Sequence, residues 1–497
     1  MTLEYFDVVI VGAGLSGIGA AYHLQDKCPD KSYVILEGRE AIGGTWDLFR
    51  YPGVRSDSDM HTLGYNFKPW QADKAIADGP SILEYVRETA AENQIDQHIR
   101  FGHMVKHAAW SSEDQRWTLT AERTDSGETA EIACNFLMMC AGYYSYEEGY
   151  TPNFPGRERF QGEVIHPQQW PEDLDYSGRK ITIIGSGATA MTLVPAMAEK
   201  AGHITMLQRS PTYVISRPDE DTIANFLRKV LPEKWAYGIT RWKNITMGQY
   251  LYRQTRTNPQ KVKDELLKMV RDELGEDYDV EKHFTPEYNP WDQRLCLVPN
   301  SDLFEAIRSG KASVVTDHIE TFTENGILLK SGKELDADII VTATGLNVIL
   351  LGGASFSVDG HAVDFSETYS YKGVMYSSVP NMVSVFGYVN ASWTLRADLI
   401  CEFVCRLLKH MDERGVRQVA PYLRPEDQQM QSQNWVEDFS SNYFKRVMHL
   451  MPKQGEAPTW VAPQNYKLDK KLLRDEPLED GVLQFGQRVP VLDKQLA

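Results

Sequence analysis

Two segments that read as apolar strand, glycine turn and helix predict an α/β protein with two Rossmann-like dinucleotide-binding domains. The first is FDVVIVGAGLSGIGAAYHL from Phe6, and the second is KITIIGSGATAMTLVPAMA from Lys180. Between about 218 and 290 the pattern turns helical, aromatic and, at first, basic, which predicts a helical insertion in the second domain. The chain of 497 residues is longer than one hydrophobic core serves. The expected division is residues 1–145 for the first part of the first domain and 146–345 for the second domain. Residues 346–497 then return to the first domain and end in a C-terminal tail.

The first turn is Gly12-Ala13-Gly14-Leu15-Ser16-Gly17. In this pattern the first glycine makes the tight turn, the second lets backbone approach a pyrophosphate, and the third lets helix pack on strand. The next strand, SYVILE, ends at Glu37. A carboxylate there accepts hydrogen bonds from ribose hydroxyls and repels a ribose phosphate, so this unit is expected to hold FAD.

The second turn is Gly185-Ser186-Gly187-Ala188-Thr189-Ala190, and the strand after it ends in Gln208-Arg209. A guanidinium in the place of Glu37 suits a 2′-phosphate, which marks NADPH. The alternative for Arg209 is a surface arginine following a strand. Strand patterns return at SVVTDHIETF, GILLKSG and DADIIVTATGL, and WTLRADLICEFVCRLLKHM reads as a last apolar helix.

Composition narrows the function. Lysine plus arginine number 52 against 69 aspartate plus glutamate, a net charge of −17, which argues against nucleic acid as a partner. None of the six cysteines forms a CxxC pair. No metal site and no redox dithiol are therefore expected, and a reducing cytoplasm fits best. Cys401 and Cys405 read as core residues on one helix face. Glu4 and Asp7 stand where a secretory signal needs basic residues. The uncharged stretch Ile339–Val358 is broken by Gly345, Asn347, Gly352 and Gly353 and reads as strand and turn, not a membrane span.

Four further stretches carry a family resemblance: Phe160-x-Gly162-x-x-x-His166-x-x-x-Trp170-Pro171, GGTWDLFRYPGVRSDSD from Gly43, DQRLCLVPNSDLF around Arg294, and Ala343-Thr344-Gly345. With them the chain resembles the class B flavoprotein monooxygenases. More narrowly it resembles the type I Baeyer–Villiger monooxygenases, nearest to the mycobacterial ethionamide-activating group. The resemblance implies an enzyme using FAD, NADPH and O2 to convert ketones to esters or lactones through a flavin C4a-peroxide, with some sulfoxidation of thioethers. It also implies roles: Gly44, Thr45 and Trp46 line the flavin with Ser56 and Asp57 beside it, and Val105 presents backbone to the adenine. Arg55 contacts the NADP pyrophosphate or orients Asp57. Arg294, the catalytic candidate with Asp57, lies over the flavin ring; the bland alternative is that it pairs with Asp292 and anchors its loop. His166 reads as a coupling element between domains or as a packed linker histidine. Gln293 stands where many such enzymes have lysine, leaving NADPH preference mainly to Arg209.

The competing functions are an N- or S-oxygenating flavin monooxygenase, a disulfide reductase, which the missing CxxC disfavours, and a flavin sensor without turnover. The aromatic stretch from Phe226 to Trp291 reads as core or as the wall of an apolar pocket. From Arg228 to Lys263 nine basic residues face one acidic residue, Glu233. That asymmetry reads as a solvated helical face attracting NADPH, or as peripheral contact with an anionic membrane.

Overall fold

The computed structural model describes residues 3–435 and 442–486. Its first domain is built on β1 (Glu4–Val11), α1 (Leu15–Lys27), β2 (Tyr33–Leu36), β3 (Ile99–Arg100), β4 (His103–Ser111), β5 (Arg116–Arg123) and β6 (Thr129–Met139). β1 is covered on both faces, so Val8, Val9, Ile10 and Val11 are all buried and the strand reads as an unbroken apolar run. It pairs in parallel with β2, Val9 opposite Val34, and with β6, Val9 opposite Leu137. β4, β5 and β6 form an antiparallel meander. The strands Ser355–Val358, His361–Ala362 and Met382–Ser384 come back from the far end of the chain to complete a nine-stranded sheet.

The second domain holds β7 (Glu163–Ile165), β8 (Lys180–Ile184), α2 (Ala188–Ala198), β9 (His203–Gln208), β10 (Ala312–Thr316) and β11 (Ile339–Thr342). Its five strands are all parallel, in the order β10-β9-β8-β11-β7. The stretch Ile339–Val358 is strand, turn and strand, as its glycines foretold. Among the described residues no helix is long and apolar enough to cross a membrane. The chain crosses between domains twice, and the two crossings pair as an antiparallel ribbon, Tyr144–Gly149 against Leu346–Val348.

The insertion is chiefly three helices, α3 (Thr222–Val230), α4 (Glu233–Thr257) and α5 (Pro259–Leu274), followed by a short one at Val280–Phe284. Asp221 caps α3 by accepting from the Ala224 N–H at 3.0 Å. Pro259 opens α5, where its missing N–H costs nothing, and Gly275 ends it at φ +86°. The sequence expectation of one solvated basic face needs correction. Arg241 lies on the inner face of α4, one turn from Tyr237, and is 5% exposed. Arg228, Lys243 and Arg256 pair with Asp73, Asp221 and Asp292 at 2.7 to 2.8 Å. The aromatic residues divide: Tyr237 and Phe284 are buried in core, as one reading expected, whereas Trp235, Trp242 and Tyr250 are exposed, in neither core nor cavity.

Arg241 donates to the carbonyl oxygens of His61 and Gly64 at 2.9 Å and stands 3.5 Å from Asp398, while the Tyr237 hydroxyl donates to Tyr65 O. Asp398 lies on the long buried helix α6 (Trp393–Glu413), which packs on α1. All these partners belong to the first domain. Replacing Arg241 with alanine takes the cation from the His61 and Gly64 carbonyls and leaves Asp398 to His23 and the Asn66 N–H alone, and should lower stability by about 3–5 kcal/mol. Arg241→Lys should recover part of that, both read as denaturant midpoints at saturating FAD.

Candidate functional site

At the first turn Gly12 has φ +104°, and its N–H donates to Leu36 O at 2.8 Å. A Cβ on Gly12 would stand 2.6 Å from Cys140 O, and one on Gly17 only 1.8 Å from Gly12 O. Gly14 is different: a Cβ there meets nothing nearer than 3.7 Å, because this glycine borders open space. That space is a cavity of about 630 Å³ running along the first domain to the face of the second. Gly12, Gly14, Ser16, Glu37, Gly44, Thr45, Trp46, Ser56 and Val105 line its first-domain wall, while Gly17 packs beneath.

Glu37, 5% exposed, accepts from the Ala13 N–H at 2.7 Å and the Arg39 N–H at 2.9 Å. Burial raises its pKa and these two N–H groups oppose the rise. The Ser16 hydroxyl accepts from Trp393 Nε1 at 2.8 Å. Val105 sits where the β4–β5 register shifts. Ser56 is turned into its own loop, bonded to Ser58 O at 2.6 Å.

Arg294 and Asp57 meet across the cavity, Nη2 to Oδ2 at 2.6 Å, and both line it. Asp292, the alternative partner, is 2.8 Å from Arg256. Burial works against charge on Arg294, but the Asp57 carboxylate beside it outweighs that and holds its pKa above the usual value, while Tyr443, Tyr143 and Tyr144 surround it. Burial also keeps the phenols of Tyr143 and Tyr144 neutral, with their oxygens 2.6 Å apart. Arg55 lines the same cavity and is paired with Asp302 of the second domain. Asp302 and the three tyrosines were missed from the sequence. Tyr143 and Tyr144 follow the Ala141-Gly142 turn and carried a signal; Tyr443 and Asp302, distant in sequence, carried none.

At the second turn Gly185 has φ +139°, and a Cβ there would stand 2.3 Å from Ala343 O. At Gly187 nothing lies within 4 Å of that position, which leaves room for a ligand's phosphates. Ala188 and Thr189 reach the shared cavity; Gly185, Ser186, Gly187, Ala190, Gln208 and Arg209 are not in its lining. Ala190 is fully buried. The Ser186 hydroxyl donates to Ser210 O at 3.1 Å. Gln208 is buried and donates to His283 O at 2.7 Å and to Thr316 Oγ1 at 2.9 Å, so its amide nitrogen braces the strand end. Arg209 is exposed, and among the described residues no ion pair engages it. Among the described residues no group of three or more His, Cys, Asp or Glu is placed to hold a metal ion.

His166 joins two of the sequence motifs. Its Nε2–H donates to Gly345 O at 3.0 Å, and its Nδ1 accepts from the Gln168 N–H at 3.2 Å. A Cβ on Gly149 would stand 1.9 Å from the imidazole, so the ring packs directly on the ribbon. With both nitrogens engaged the ring is neutral, and burial lowers its pKa from 6.5. The unfolded chain then takes up a proton that the folded one refuses, so this contribution is complete above about pH 6.5 and is lost as pH falls. His166→Gln should flatten the acid side of the stability profile by up to about one proton, measured by denaturation between pH 7 and 5.

A model of the flavin-binding monooxygenase-like family matches residues 69–351, and one of an NAD(P)-binding Rossmann-like domain matches residues 10–72. The FAD-containing monooxygenase EthA of Mycobacterium tuberculosis is 54% identical over 486 residues, 98% of each chain. Among solved structures, a steroid monooxygenase bound to NADP superposes with a TM-score of 0.78 at 22% identity, over 97% of this chain and 100% of that one. An open form of cyclohexanone monooxygenase superposes at 0.74 and 19%, with the same coverage. These likenesses establish the fold of two dinucleotide-binding domains. The strand order, the two glycine turns, the shared cavity and the full-length sequence match converge: the chain belongs to the flavin-binding monooxygenase-like family.

Proposed function

We propose that this monooxygenase binds FAD and NADPH and acts on ketones, forming esters or lactones with O2. The observation that carries the reading is the Arg294 guanidinium, held charged at the seam of the two domains within the cavity. The residues present fit both cofactors. Gly14 and Gly187 leave the space a pyrophosphate needs at two helix N-termini. Glu37 has lone pairs left for a ribose, and Arg209, exposed and in no ion pair among the described residues, can meet a 2′-phosphate. FAD reduced by NADPH would supply the two electrons that activate O2, one oxygen atom of which goes to the substrate while the other leaves as water.

The chain's own contribution is electrostatic. As a ketone carbonyl is attacked, negative charge grows on its oxygen, and a fixed guanidinium in a partly dry cavity stabilises that charge without reorganising. Asp57 aims the guanidinium and keeps it protonated, while the neutral phenols around it add no competing charge. A second reading has an observation of its own. The 2.6 Å pair with Asp57 offsets part of the arginine's charge, which suits oxygen transfer to a soft nucleophile such as a thioether. Product analysis over linear, cyclic and aromatic ketones beside thioethers decides: ester or lactone from the ketones supports the first reading, and sulfoxide alone supports the second.

Arg294→Ala should keep its flavin absorbance, because the phosphates are held elsewhere, and should lose ester formation by at least about two orders of magnitude. Arg294→Lys should restore only part of it, since an ammonium lacks the planar fork. Unchanged ester yield in the alanine variant would remove Arg294 from the chemistry.

Arg209→Ala should raise the KM for NADPH about ten- to a hundred-fold, the worth of charge-assisted hydrogen bonds to a phosphate, and leave NADH use nearly unchanged. Equal losses with both cofactors would show a role in folding instead.

A further inference from the structure

The helical insertion carries an apolar face that the described residues leave exposed. On α3 it consists of Ile223, Phe226 and Val230, which are 54%, 62% and 56% exposed. On α4 it continues with Trp235, Ile239 and Trp242, which are 70%, 41% and 68% exposed. The spacings are three, four and seven residues, so each set forms one stripe on its helix. The two helices pack on each other. Such an area of large apolar side chains marks an interaction surface.

The opposite faces are already anchored. Ala224 is buried, Arg228 pairs with Asp73, and Tyr237 and Arg241 bond to the first domain. The bare stripes are thus not waiting to fold inward. None of their six residues lines the cavity.

We propose that this face rests on a lipid bilayer carrying anionic headgroups. Lys229 and Lys234 adjoin Val230 and Trp235, are exposed, and among the described residues are engaged by no ion pair. Glu233, between them in the chain, bonds to the Gln71 side chain. Aliphatic side chains bordered by tryptophan and lysine form the mixture that enters a headgroup layer: the apolar bodies sink, the indoles sit at the boundary, and the ammonium groups meet phosphate. A second copy of the chain on the same face would bring four lysines into one interface, which like charges disfavour. The net charge of −17 does not oppose contact, because charges farther than a screening length of about 8 Å are damped. The same helix continues to Arg256 and Tyr252, which hold Asp292 at 2.8 Å and contact Trp291, both in the loop carrying Arg294. The resting surface and the catalytic loop therefore share one rigid element.

The test is flotation of the FAD-loaded enzyme with vesicles of phosphatidylcholine plus phosphatidylglycerol, beside phosphatidylcholine alone, at moderate salt. Wild type should float with the anionic vesicles and much less with the neutral ones. Lys229→Gln with Lys234→Gln should weaken partitioning about 30-fold, and Trp235→Ser with Trp242→Ser at least about tenfold. Flavin content and NADPH oxidation in solution should not change in either variant. Wild type that stays unfloated, or tryptophan variants that float as well as wild type, would overturn the proposal. So would equal flotation with neutral vesicles, or a wild-type dimer, seen by light scattering, that the tryptophan substitutions convert to monomer.

Discussion

A guanidinium removed from water must be met by acceptors on every side, and Arg241 finds them only on the first domain. The His61 and Gly64 carbonyls and the Asp398 carboxylate fix one face of α4 there, although α4 belongs by chain order to the second domain. Everything downstream depends on this anchor. With α4 fixed, Arg256 at its end can hold Asp292, and the loop that follows can carry Arg294 to Asp57, a residue of the first domain. Arg55 with Asp302 makes a further ionic tie between the domains. The cavity is therefore a product of the docking, closed by charges that each domain supplies to the other.

The two nucleotide turns solve one geometric problem with different residues. Each first glycine lies at positive φ, tight against a carbonyl from a neighbouring strand end, Cys140 in one case and Ala343 in the other. Each second glycine faces open space. They differ at the third position. In the first unit a Cβ on Gly17 would collide with Gly12 O, whereas the second unit accommodates the buried methyl of Ala190. They differ again at the end of the next strand, where a buried carboxylate is bonded into the first turn and an exposed arginine stands beside the second. A difference of one charged side chain at an equivalent place separates two sites that share a backbone plan.

The connection between domains is small for the work it carries. The two crossing strands pair, and His166 lies across Gly149 and bonds to Gly345. The Phe160–Pro171 and Ala343–Gly345 motifs, far apart in the chain, thus meet at one imidazole. Gly149 has to be glycine because the ring occupies the place of its Cβ. The histidine is neutral and bonded through both nitrogens, which fits a latch on the ribbon better than a base in the cavity.

The sequence by itself determined whatever is local. The strand–turn–helix units follow from apolar runs and glycine spacing; the contrast of Glu37 with Arg209 follows from position after a strand; and the breaks in Ile339–Val358 follow from glycines. Most of the cavity's first-domain wall, from Gly12 to Val105, was legible for the same reason, since it is built from residues near one turn or matched to one motif. What only the tertiary structure decided is which charges meet. The pairing of Arg294 with Asp57 instead of Asp292, the capture of Arg55 by Asp302, and the arrival of Tyr443 beside Arg294 join residues from distant stretches. The burial of Arg241 and the exposure of Trp235 and Trp242 were likewise beyond the sequence. Helical periodicity sorts residues into faces, but it does not say which face a neighbouring domain will cover.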